Sequence, residues 1–463
     1  MKTVWDRLRE FYSGKWYPLL VLVLTVLGSS LGYEFACFLI MVASFFFACT
    51  FAYDFRFALA PFMCTVFFVS PRHAENVTEF REYYMQSFSV AAMVVGFGLI
   101  FVGTVVFAIR NRRRVNEFPW KGFFLSLSIW CVTLCLNGAF NSGYSWKNLL
   151  FALTFPLMML ILYSLFALYV RFDKTSFDYF MYCLFIACSV ICLELFARYL
   201  SGAVIVDGVI VKVNVVLGWG VWTTVGGMIA FLMPAAFYFA ATHRRGWIFY
   251  LIGLVQFFCT VLSQSRGAML IGGVILLCCL VVLCFWGRNK RINRILTLGL
   301  IVIAAAGVVV LREKLLGLLQ SFLDKGFDDS DRYDLWSLGV QKFLSAPVFG
   351  SGFYNNGIVS DWDIQLYPFF YHNTLVQVLA STGAAGILAY LWHRFCTVRA
   401  IVRKPNLYKT YLGICLLSCL LFCMLDVLLF ITYPLIFYTL MLLFIEKRDE
   451  AEMAERFYPE IES

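Results

Sequence analysis

The stretch SRGAMLIGGVILLCCLVVLCFWGRNKRINRILTLGLIVIAAAGVVV, Ser265–Val310, decides the fold. One arginine opens an uncharged apolar run from Gly267 to Trp286. A basic hinge follows, Arg288–Arg294, and then a second apolar run to Val310. Each run is near the roughly 20 residues that a helix needs to cross about 30 Å of hydrocarbon. A strand of an outer-membrane barrel would alternate apolar and polar positions, and this one does not. A short basic loop between two such runs is what holds a hairpin of spans on the cytoplasmic side.

The same pattern repeats outward over the whole chain. Of 463 residues, 62% are hydrophobic and 14% charged, against about 45–50% and 25% in soluble domains. A span and its loop take roughly 30 residues, and the blocks divide into about fourteen spans. The expected fold is all-α, a polytopic helical membrane protein whose residues 1–463 form a single integral membrane domain. Most of the 37 lysines and arginines fall on alternate loops, such as RNRRR at 110–114 and RNKRINR at 288–294. That register puts both termini in the cytoplasm. The net charge of +9 therefore marks topology, and nucleic acid is not an expected partner. The sixteen cysteines lie mostly inside apolar blocks and read as small packing residues. No pair has metal-ligand spacing, so no metal or other cofactor is expected.

Most loops are short. Three external ones are longer: 70–87, 201–220 and a large external loop at 313–371. The last carries DKGFDDSDRYD and keeps its aromatic residues, among them Phe327, Trp336 and Trp362, which argues for a structured element. Within it, Asp331–Leu344 is expected to be helical, capped by Asp328, Asp329, Ser330 and Asp331. Trp336, Gly339, Val340, Phe343 and Leu344 make its apolar stripe, and Arg332 shares that face. A proline and two glycines, Pro347, Gly350 and Gly352, end it.

Five ionisable residues sit at membrane depth or near its outer edge: Glu34, Glu194, Arg198, Arg266 and Asp426. Such residues must face protein or a watery cavity, and each is a candidate for function. Arg266 suits bidentate gripping of a phosphate or diphosphate; equally, an arginine at a helix end reaches for lipid headgroups. His372 opens a span at the outer boundary and is the available general base; by position alone it is also an ordinary interfacial histidine. Two arginines and a histidine on one face describe a site for a diphosphate leaving group and a hydroxyl acceptor. The first-turn N–H groups of the His372 helix, together with both arginines, would make that layer electropositive and favour a neutral imidazole.

Three pieces in order resemble the bacterial O-antigen ligase and O-antigen polymerase superfamily. They are LSQSRGAML (Leu262–Leu270), DRYDLWSLGVQKFLSAPVFGSGF (Asp331–Phe353) and YHNTLVQVLASTGAAG (Tyr371–Gly386). GWGVWTTVGGMIAFLMP (Gly218–Pro234) is similar to the preceding segment of relatives, with Thr223 and Thr224 where an asparagine is often found. The resemblance implies an inverting, metal-independent membrane glycosyltransferase of the C-type class. It would take glycan from a polyprenyl diphosphate carrier on the outer face of the bacterial cytoplasmic membrane. Arg266 and Arg332 would bind the diphosphate, and His372 would deprotonate or orient the acceptor. Ser265, Asn373, Trp336 and Glu194 are the candidate substrate contacts. The implied partners are the lipid-linked glycan donor, a glycan or lipid-glycan acceptor, and membrane lipids.

A lipid-linked oligosaccharide flippase, or another polysaccharide transporter, is the competing reading. It requires charge near the bilayer midplane and related halves. Here charge gathers at the outer boundary beside one large external loop, which favours an enzyme.

Overall fold

The structure, a computed structural model of the chain, describes residues 3–67, 86–141, 146–206, 208–310, 330–354 and 370–457, plus isolated positions between them. His73, Phe327, Asp328, Asp329, Trp362 and about half of the 313–371 loop lie outside the described residues.

Apolar blocks become helices throughout. The first group is α1 (Val4–Ser13), α2 (Trp16–Leu31), α3 (Glu34–Cys49), α4 (Leu59–Cys64), α5 (Ser87–Arg110), α6 (Phe123–Cys135) and α7 (Trp146–Tyr169). Then come α8 (Lys174–Leu200), α9 (Trp222–Leu232), α10 (Pro234–Thr242), α11 (Gly246–Leu262), α12 (Arg266–Phe285) and α13 (Lys290–Val310). The last four are α14 (Ser330–Ser345), α15 (Thr374–Val402), α16 (Leu407–Cys423) and α17 (Thr432–Phe457). The 201–220 loop folds into two short hairpins, Ile205–Val206 with Val209–Ile210 and Val216–Leu217 with Gly220–Val221.

Among the described residues, seven helices are long and apolar enough to cross a membrane, or eight if α1 and α2, bent by 66°, count as one. Five more apolar helices are shorter, α6 and α11 among them. At 1.5 Å per residue the 17 residues of α11 reach only about 25 Å. Every expected block therefore contains a helix, and among the described residues seven or eight of these are by length and composition sufficient to cross a membrane.

Burial divides centre from periphery. Of the most apolar stretch of the α9–α10 pair 94% is buried, and of that of α13 only 11%. Pro234 occupies the first turn of α10, where its missing N–H costs nothing, and so restarts the helix after Met233. This pair packs against α8, α11, α12 and α16 and is the post around which the elements carrying Glu194, Arg266 and Asp426 are arranged.

Candidate active site

Two of the three motifs are joined by backbone. Gly383 interrupts α15 at φ +65°, a left-handed conformation that a side chain resists. An unbroken helix would send the N–H groups of Ala384 and Ala385 to the carbonyls of Ala380 and Ser381. Instead Ala384 N donates to Pro347 O (2.8 Å) and Ala385 N to Val348 O (3.1 Å). The vacated carbonyls accept from Ser351 N (2.8 Å) and Gly352 N (3.1 Å). The Pro347–Gly352 loop thus splices into the broken helix and takes up four of the backbone groups the break frees. The approach is close: a Cβ on Gly383 would meet Val348 O at 2.5 Å, and one on Gly350 would meet the Ser381 carbonyl carbon at 2.3 Å. The splice, together with Gly339 packed on Tyr371 and Val376, fixes α14 and its Arg332 against the start of α15 and its His372.

All three motifs then converge on one turn, Met424–Asp426, which follows α16. His372 Nδ1 lies 3.1 Å from Asp426 Oδ1. Asn373 Nδ2 donates to Met424 O (3.1 Å), and the Thr374 hydroxyl donates to Asp426 O (3.1 Å). Arg332 Nη1 donates to Leu425 O (2.8 Å). The Leu425 side chain covers Gly267, where a Cβ would come within 2.8 Å of Leu425 Cδ1. One leucine therefore touches both arginine motifs.

His372 and Gln264 are non-glycine residues with left-handed backbone, φ +50° and +58°. Strain of this kind persists only where the surroundings over-determine it, and it gathers at functional sites. Among the described residues four non-glycines have this backbone; Gln264 and His372 lie within two positions of a proposed reactive side chain, while Phe140 and Lys404 do not. Gln264 ends the short link between α11 and α12, and Ser265 then caps α12 by accepting from Ala268 N at 3.3 Å. Arg266 is the first residue of α12 and is exposed. Asn373 likewise caps α15, accepting from Leu375 N (2.9 Å) and Val376 N (3.2 Å). Ser265 and Asn373 thus set the directions of their neighbours. This corrects one expectation: the first-turn N–H groups of α15 point to Asn373 rather than to His372, whose neighbour is a carboxylate.

The imidazole is 45% exposed at its side chain and Asp426 14%. Val427 N also donates to Asp426 Oδ1 (2.8 Å), which leaves the carboxylate fixed against the ring. With Nδ1–H donated to Asp426, Nε2 presents a lone pair, and among the described residues it has no partner. Tyr371, the preceding residue, is buried, and burial pushes its phenol above the ordinary value, so it stays protonated and is no rival base.

Glu194 is not brought to this cluster. It is buried on α8, where Oε2 accepts from Trp219 Nε1 (3.0 Å) while Oε1 has no hydrogen-bond partner among the described residues. Trp219 meets Tyr433 edge-on at 5.1 Å, and Tyr433 Oη lies within 3.1 Å of a Cβ built on Gly220, next to Thr224. Glu194 is thus an adjoining wall, one aromatic layer away. Arg198, four residues on, is held by Asn214 O (3.4 Å). Trp336 stands one turn beyond Arg332, edge-on to Tyr333 at 5.4 Å, with its indole N–H buried and without a hydrogen-bond partner among the described residues. Asp426 carried only one sequence signal, an acid between two apolar runs, and Leu425 carried none.

Residues 249–391 match the family model described as O-antigen ligase. The matched segment contains Arg266, Arg332 and His372, and ends before the Met424–Asp426 turn that joins them. No curated protein matches the chain. The matched segment is the one that holds the three ordered motifs, so the sequence resemblance and the O-antigen ligase family model fall on the same residues.

Proposed function

We propose that this protein transfers or polymerises glycan from a polyprenyl diphosphate carrier at the outer face of a bacterial cytoplasmic membrane. His372 Nε2 takes the proton of the acceptor hydroxyl, and Asp426 holds the ring so that this nitrogen faces outward. The acceptor oxygen then attacks the anomeric carbon from the side opposite the diphosphate. One bond forms as the bond to the carrier breaks, which inverts the configuration. The departing polyprenyl diphosphate takes the electron pair, and Arg266 and Arg332 hold its negative charge. No metal is needed in this scheme. The expected large outer loop, and two arginine motifs that meet the turn holding the imidazole, support an external enzyme over a transporter.

The observation that carries this reading is the convergence of the three motifs on the Met424–Asp426 turn. The test is transfer from a lipid-diphosphate glycan in proteoliposomes of the purified protein. Product of inverted configuration, formed equally well with EDTA present, is expected; movement of intact donor across the bilayer without transfer would establish the transporter instead. The topology has its own check. Single cysteines at Asp329 and Asn356 should label from outside, and those at Arg112 and Lys290 should not.

A further inference from the structure

We propose that a phospholipid with an anionic headgroup binds between the Phe118–Phe123 segment and the last turns of α15. The site lies in the leaflet opposite Arg332 and His372. Beyond its break α15 runs straight on from Ala384 to Val402, about 28 Å at 1.5 Å per residue, close to the thickness of the hydrocarbon layer, which carries its last turns to the headgroup layer away from the splice. A cavity of about 820 Å³ opens at the far end.

Its walls match an amphiphile. Lys121, Arg399 and Arg403 are exposed side chains around it, and Phe118 and Trp120 supply apolar surface. Phe118 lies 4.6 Å from Trp120 and 4.6 Å from Phe124, a ring cluster suited to the membrane interface. The one acid of the lining, Glu446, is turned inward. Phe123 N donates to its Oε1 (3.3 Å) and the Tyr163 hydroxyl to its Oε2. Gly122 has the left-handed φ of +76° that side chains resist, and it lies against this carboxylate. The carboxylate is thus engaged by the protein, and three cations surround a largely apolar hollow. Topogenic charge needs no hollow at all. A phosphate among the three cations, with acyl chain along the rings, uses both parts of the lining. The proposal is independent of the glycan chemistry at the other end.

The experiment is native mass spectrometry of the full-length protein in detergent with equal amounts of phosphatidylglycerol and phosphatidylcholine. The wild type is expected to retain phosphatidylglycerol preferentially. A Lys or Arg near an anionic surface contributes about fivefold in binding, so Arg399→Gln with Arg403→Gln should cut retention by more than tenfold. Ala400→Trp, which fills the hollow and leaves every charge in place, should cut it as well. Arg112→Gln with Arg113→Gln removes the same charge elsewhere and should leave it intact. Equal losses in both charge pairs with none in Ala400→Trp would reduce the site to diffuse attraction and overturn the proposal. So would equal retention of the two lipids by the wild type. None of these residues belongs to the proposed transfer site, so glycan transfer reports whether each variant is folded.

Discussion

Two histidines belong to the same stretch of chain, each with an arginine nearby, and the structure treats them in opposite ways. His393 is fully buried on α15, stacked on Trp130 at 5.5 Å and 19°. Its hydrogen bonds have one consistent direction. Arg394 Nη1 donates to the Tyr438 hydroxyl (2.8 Å), which donates to His393 Nε2 (2.8 Å). His393 Nδ1–H donates to Ser126 Oγ (2.9 Å), and Ser126 donates to Phe123 O (3.1 Å). Both ring nitrogens are used, and the guanidinium of Arg394 sits among the rings of Trp130, Tyr390 and Tyr438. His372 has one nitrogen on Asp426, one open, a strained backbone and a half-exposed ring. The presence of a histidine and an arginine therefore says little about chemistry. An unspent lone pair facing outward is what separates the proposed base from the structural residue.

The largest test of that contrast is His372→Ala. General acid–base catalysis is worth about 10²–10⁴-fold, so transfer should fall by that factor while the lipid-diphosphate donor still binds. Loss of donor binding with residual turnover would make His372 a diphosphate ligand, and Glu194 would become the next candidate base. Arg266→Lys keeps the charge and loses the planar fork. A hydrogen bond to a charged group is worth about 1.5–3 kcal/mol, so a loss of about tenfold to 150-fold is expected in an enzyme that inserts normally. Activity near wild type would make Arg266 a headgroup anchor.

What the sequence could show follows from what is local. The Ser-Arg-Gly link between two apolar runs and the Arg332–Trp336 helix are contiguous patterns, and each is found where expected: α14 spans Ser330–Ser345 against an expected 331–344, while Asn373, expected as a substrate contact, caps the helix that His372 was expected to open. The Gly383 break was hidden because a glycine inside an apolar helix reads as packing, and the four backbone bonds that splice it come from a loop some thirty residues earlier. The Met424–Asp426 turn was hidden for a similar reason. Three of its contributions are backbone carbonyls, which every residue possesses and no side-chain pattern reveals. Asp426 stood out as an acid at membrane depth, yet its partner is 54 positions away.

Asp426→Asn sharpens the comparison at the His372 end. The amide can no longer impose Nδ1–H, so a share of the rings turn the wrong nitrogen outward. A buried Asp–His pair loses about 10⁴-fold on such a change. This pair is part exposed, and the expected loss is nearer tenfold. It should fall on turnover rather than on donor affinity, since the arginines are untouched. An unchanged rate would mean that Asp426 only holds the Val427 turn.

The smallest expected effect on transfer, and the sharpest control, is His393→Phe. Phenylalanine keeps a ring on Trp130 and removes both nitrogens from the chain of donors. Ser126 retains its bond to Phe123 O, but the Tyr438 O–H loses its acceptor while still taking the Arg394 guanidinium. A buried group left unsatisfied costs about 1–3 kcal/mol, so the thermal midpoint and the yield of folded protein should drop. Turnover per folded molecule should stay within about twofold, because α6, α15 and α17 remain packed and the splice at Gly383 lies between His393 and the site. The reverse result, a normal thermal midpoint with turnover lost, would mean that the buried network carries protons or charge needed by the reaction. The two histidines would then form one machine, and the distinction between spent and unspent nitrogens would fail.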